Sequence, residues 1–80
     1  MTNLEKYNKA FIEALGVTEA QLPGLQYQGI EAWDSVGHMT LVSTLENAFD
    51  IMLDTIDVIG LSSYEEGKKI LAKDEYGVKF

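Results

Sequence analysis

The chain has no cysteine, no arginine, one proline and one histidine, and no apolar run long enough to cross a bilayer. Each absence removes a class of answer. Without cysteine there is no disulfide staple, and one histidine cannot assemble a tetrahedral zinc site. The fold must therefore hold by packing alone, in keeping with a reducing cytoplasm, where the domain is expected to reside as a soluble monomer. The opening MTNLEKYNKA lacks a basic segment followed by an apolar one, so neither a signal peptide nor membrane insertion is expected. Eighty residues suffice for a single domain, 1–80, with one modest core.

Positive charge is scarce and confined. The six lysines stand at positions 6, 9, 68, 69, 73 and 79, against thirteen acids, for a net charge of −7. Between Ala10 and Gly67 there is no lysine or arginine, while ten acids occur there: Glu13, Glu19, Glu31, Asp34, Glu46, Asp50, Asp54, Asp57, Glu65 and Glu66. Nucleic-acid binding depends on lysine and arginine neutralising phosphates, so this composition argues against it. It favours rapid encounter with basic protein patches.

What is present reads as helices. Thr2 and Glu5 form a capping-box pattern, and Leu4, Tyr7, Phe11 and Leu15 follow at helical spacing before Gly16, which predicts a helix over 3–15. Val17 to Trp33 is a long connection with one helical turn near Thr18–Gln21. Its Leu22, Leu25, Tyr27, Ile30 and Trp33 are expected to lie on the core. A second long helix over 35–50 starts at Asp34 or Ser35. A short helix over 55–60 carries Ile56 and Ile59, with Leu61 a further candidate for its apolar side. Ser62 and Glu65 supply another capping-box pattern, for a last helix over 63–73 that Gly67 weakens. The tail DEYGVKF is expected to turn and fray. No segment reads as a strand. The expected fold is an all-α bundle of three longer helices and one short one, with a core of Tyr7, Phe11, Leu15, Leu41, Leu45, Phe49, Ile59, Ile70 and Leu71.

At roughly 100° per residue, Leu41, Val42, Leu45, Ala48 and Phe49 of the central helix share one arc, with His38 at its start. The opposite face gathers Val36, Met39, Thr40, Ser43, Glu46, Asn47 and Asp50. A small apolar patch beside carboxylates suits a partner with an apolar groove and a basic rim.

Ser35 admits three uses. It can cap the helix, as Asp34 can. It can act as a nucleophile with His38 as base, but a triad also needs an orienting third group and an oxyanion hole, and the G-x-S-x-G turn is absent. It can be an attachment point, where a phosphodiester would face unpaired N–H groups and the positive end of the helix dipole. A calcium loop from Asp50 fails, because its third, sixth and twelfth positions are Met52, Thr55 and Leu61. No phosphate-cradling G-x-x-x-x-G-K occurs, and no metal site is expected.

The stretch DSVGHMTLVSTLENAFDI resembles the signature of acyl carrier proteins, in which Asp-Ser and an apolar residue open the second helix. Leu41, Leu45 and Phe49 continue the pattern, with Glu46 between. Chain length, the long first loop and LSSYEEGKKIL extend the resemblance over residues 3–72. It implies a four-helix acyl-carrier-like bundle, not itself an enzyme, whose Ser35 receives 4′-phosphopantetheine from coenzyme A through a separate phosphopantetheinyl transferase. The arm would carry acyl or related intermediates as thioesters to acyl-loading, acyl-transfer or synthase enzymes with basic docking patches. Asp34, Val36, Met39, Glu46 and Asp50 would form the recognition face, with Asp54 and Asp57 extending it. Gly37, His38 and Thr40 stand where fatty-acid carriers usually have acids. The W-D-S-x-G-H-M version is more similar to free-standing carriers of specialised pathways than to those of fatty acid synthesis. The rival expectation is an unmodified acidic helical adaptor that docks on a basic protein through Val36 and Met39.

Overall fold

A computed structural model describes all residues, 1–80, as four α-helices and one 3-10 helix without strands. Helix α1 spans Asn3–Leu15, the 3-10 helix Glu19–Gly24, α2 Ser35–Phe49, α3 Thr55–Gly60 and α4 Tyr64–Leu71. No helix is long and apolar enough to cross a membrane.

Local chemistry sets most boundaries. The Glu5 N–H donates to Thr2 Oγ1 at 3.1 Å while the Thr2 N–H donates to Glu5 Oε1 at 2.9 Å, so the reciprocal cap starts α1 as expected. Gly16, at φ +67°, ends it by donating its N–H to the Ile12 carbonyl. The loop helix is longer than one turn, and the Thr18 N–H donates to Gln21 Oε1 at its start. Asp50 closes α2 in the left-handed conformation at φ +53°, which aspartate tolerates.

Helix α1 packs along α2, and the loop helix lies across α1 and α4. Their shared core is aromatic at its centre. Phe11 meets Tyr7, Tyr64 and Trp33 at centroid distances of 4.9, 5.4 and 5.6 Å. The long connection contributes Val17, Leu22, Leu25 and Trp33 to this core. It is pinned to the start of α4 by two backbone bonds, Tyr27 N–H to Ser62 O and Tyr64 N–H to Leu25 O, both at 2.9 Å. The buried Tyr7 hydroxyl donates to the Tyr64 carbonyl at 2.7 Å. Gly67 makes room for it: a Cβ there would stand 2.1 Å from that hydroxyl oxygen.

Several expectations need correction. Ile59 is not a core residue; it is 76% exposed, as is Ile56. Helix α3 instead turns Asp57 inward, and Leu61 just beyond it takes the buried apolar place. Phe49 is half-buried against the core, and Leu4 is exposed. Helix α4 begins one residue later than expected because Ser63, not Ser62, is its cap, accepting from the Glu66 N–H at 3.0 Å. It ends at Leu71 instead of 73. The tail does not fray: Val78 is buried, its N–H bonds to the Leu71 carbonyl, and Phe80 packs edge-on against Tyr7.

Candidate functional site

The start of α2 is built by the residues immediately before it. Asp34 is the cap, with Oδ1 accepting from the Gly37 N–H at 2.8 Å. The loop crosses so close that a Cβ on Gly37 would lie 2.0 Å from the Ala32 carbonyl oxygen. Glycine is therefore required there for the turn to pack. Ser35, the first helical residue, is exposed and makes no capping bond.

The only hydrogen-bond partner of Ser35 Oγ is the Tyr27 hydroxyl, at 3.2 Å. His38 does not face it as a base. The Trp33 indole N–H donates to His38 Nδ1 at 3.0 Å, and His38 Nε2 lies 2.7 Å from the Val58 carbonyl oxygen. An indole nitrogen only donates and a carbonyl only accepts, so these partners assign the neutral tautomer with its proton on Nε2. Both ring nitrogens are thereby committed to structure. The ring stacks on the fully buried Trp33 at 6.2 Å and ties α2 to α3.

Ser35 and Tyr27 each line a separate depression. One is a shallow groove along α2, lined by Ser35, Val36, Met39, Thr40 and Ser43 among others. The other is a cleft of about 260 Å³ between the loop, α2 and the end of α3, lined by Tyr27, His38, Val58, Ile59, Leu61 and Ser62. Val36 and Met39 are exposed, and Met52, Ile56 and Ile59 add further exposed apolar side chains around α3.

The acids expected on one surface divide. Asp34 is exposed but engaged in its cap, while Asp50 and Asp54 are exposed. Glu46 turns back to accept the Leu53 N–H through Oε2 at 2.9 Å, organising the connection between α2 and α3. Asp57 does not extend a docking surface: it is 4% exposed and held by Lys73 Nζ at 2.5 Å and the Tyr76 hydroxyl at 2.6 Å. Hydrogen bonds from Lys73 first, and then Tyr76, hold its carboxyl below the ordinary 3.8. Burial, and then the bond to Asp57, push the Tyr76 phenol up to about 12. Oxygens of Asp54, Asp57 and Glu75 come within 4.8 Å of one another. The Lys73 ammonium already supplies a positive charge to Asp57 in that cluster.

Sequence reasoning missed Tyr27 as the neighbour of Ser35, His38 as a bridge, and Lys73 and Tyr76 as partners of Asp57. Only the last carried a signal, since Lys73 is among the few cations available to a chain rich in acids. No family model, curated protein or solved structure matches the chain.

Proposed function

We propose that the chain is a carrier protein, in an acyl-carrier-like four-helix bundle, whose Ser35 holds a 4′-phosphopantetheine arm. The observation that carries this reading is the division of labour at the start of α2. Asp34 caps the helix, so the exposed Ser35 hydroxyl is left for another use.

The residues around Ser35 fit such a group. Ser35 is exposed on an open groove, and its hydroxyl has one hydrogen-bond partner, the Tyr27 hydroxyl, whose ring lines the neighbouring cleft. At a helix start the first N–H groups have no intrahelical acceptor, which favours a negatively charged substituent. Attachment forms a bond from Ser35 Oγ to the pantetheine-side phosphorus of coenzyme A and breaks that phosphorus's bond to the bridging oxygen. Adenosine 3′,5′-bisphosphate leaves, and the serine proton passes to a separate phosphopantetheinyl transferase. The bound arm supplies a terminal thiol that holds an acyl group as a thioester. The domain itself contributes attachment and recognition.

Exposed Val36 and Met39, with Asp50 and Asp54 also exposed and no lysine or arginine between Ala10 and Gly67, support docking by loading, transfer or synthase enzymes with basic patches. The residues Gly37, His38 and Thr40 favour a specialised biosynthetic pathway over fatty acid synthesis. A second reading draws on the exposed Met52, Ile56 and Ile59, which enlarge the apolar surface available to an unmodified acidic adaptor.

Intact mass after incubation with coenzyme A and a broad-specificity phosphopantetheinyl transferase separates the two. The carrier gains one phosphopantetheine and its Ser35→Ala variant gains none. A folded protein that gains nothing from several such transferases is the adaptor.

A further inference from the structure

The contact between Tyr27 and Ser35 asks what the phenol is for. Its ring is half-buried and packs edge-on against His38 at 5.2 Å and Trp33 at 6.2 Å. Phenylalanine would supply the same packing. The hydroxyl has one hydrogen-bond partner, Ser35 Oγ, and Ser35 Oγ has no other. The backbone beneath is fixed on both sides, by Tyr27 N–H to Ser62 O and Gln28 N–H to Trp33 O, each at 2.9 Å. The Tyr27 hydroxyl, which can donate or accept, is thus held in place beside the attachment atom by a loop that is itself bonded to α4.

The charge distribution gives that hydroxyl a purpose. A phosphodiester on Ser35 would stand in a stretch without any lysine or arginine, directly after the carboxylate of Asp34. No lysine or arginine between Ala10 and Gly67 is there to offset it, which gives a neutral hydroxyl held beside Oγ a use. Esterified Oγ has lost its proton and accepts only weakly, whereas the non-bridging phosphoryl oxygens carry the charge and accept strongly. We propose that Tyr27 is the positioning residue for the substituent on Ser35. It orients the Ser35 hydroxyl before attachment and donates to a phosphodiester oxygen after it. The inference rests on the carrier reading. It adds that the root of the arm is held toward the loop and its cleft, which leaves the groove along Val36 and Met39 open for partners.

The test is a cycle of four proteins: wild type and Tyr27→Phe, each before and after modification, with attachment verified by intact mass. Unmodified Tyr27→Phe is expected to melt close to wild type, because the ring packing remains. Modification is expected to raise the melting temperature of the wild type. In Tyr27→Phe that rise should be at most half as large, and the ³¹P resonance of the phosphodiester should move relative to the wild type. Equal rises in both proteins with coincident ³¹P resonances, or no rise in the wild type, overturn the role of Tyr27 while leaving the carrier reading intact. Absence of any mass gain overturns both.

Discussion

Replacing Gly67 by alanine sets two familiar effects against each other. In an isolated helix the change would stabilise by about 1 kcal/mol, since glycine is among the poorest helix formers. In this fold the added Cβ would stand 2.1 Å from the Tyr7 hydroxyl oxygen and 2.7 Å from Leu61 Cδ1. Neither neighbour can yield easily: Tyr7 is fully buried, Leu61 is 2% exposed, and the Tyr7 hydroxyl is bonded to the Tyr64 carbonyl. Overpacking costs about 1–3 kcal/mol. Separating the buried hydroxyl from its carbonyl costs about 1–3 kcal/mol more. After the propensity gain, a net destabilisation of about 1–5 kcal/mol remains. That is a large share of the roughly 4–12 kcal/mol expected for a domain of this size. Urea titration followed by circular dichroism measures it, with Tyr7→Phe and the double variant completing a cycle. Removing the hydroxyl relieves the closest contact, so the Gly67→Ala cost should be smaller in the Tyr7→Phe background. A Gly67→Ala protein as stable as wild type, or more so, would refute the close packing of Tyr7 and Leu61 on Gly67.

The pairing of Asp57 has a pH consequence. Its folded carboxyl lies below the ordinary 3.8, so its stabilising contribution is present above that value and is lost as pH falls through the folded one. Acid titration of stability should therefore show a limb below about pH 4 that Asp57→Asn flattens; an unchanged acid limb would contradict the pairing. In the core, Leu45→Ala should cost about 2–5 kcal/mol, whereas Ile59→Ala on the exposed face of α3 should stay within about 0.5 kcal/mol. Similar losses for both in thermal melts would show that α3 is turned the other way.

The long helices were legible because each carries redundant signals. Helix α1 has a reciprocal cap between Thr2 and Glu5, then apolar residues in register, then Gly16. Ambiguity remained wherever a local pattern had two equal solutions. Ser62 and Ser63 each precede a glutamate by three residues. The choice falls to Ser63, while the Ser62 carbonyl is occupied by the Tyr27 N–H from a distant loop. Helix α3 has only six residues, under two turns, too few for periodicity to decide which side faces in. Its direction follows Asp57, whose partners Lys73 and Tyr76 lie beyond the end of α4. At the candidate site, Ser35 and Asp34 were visible as a pair, but their separate uses were not. The Gly37 N–H selects Asp34 as the cap. Tyr27 reaches Ser35 only because the loop folds back, a path that no local spacing encodes.

The most direct test of the central claim is to locate the group that coenzyme A donates. The chain has no arginine and no lysine between Lys9 and Lys68, so trypsin leaves Ala10–Lys68 as one peptide holding Ser35, Ser43, Ser62 and Ser63. After treatment with coenzyme A and transferase, fragment masses of this peptide should place one phosphopantetheine on Ser35 and on no other serine. A fully folded protein whose peptide keeps its unmodified mass, or carries the group elsewhere, would contradict the account.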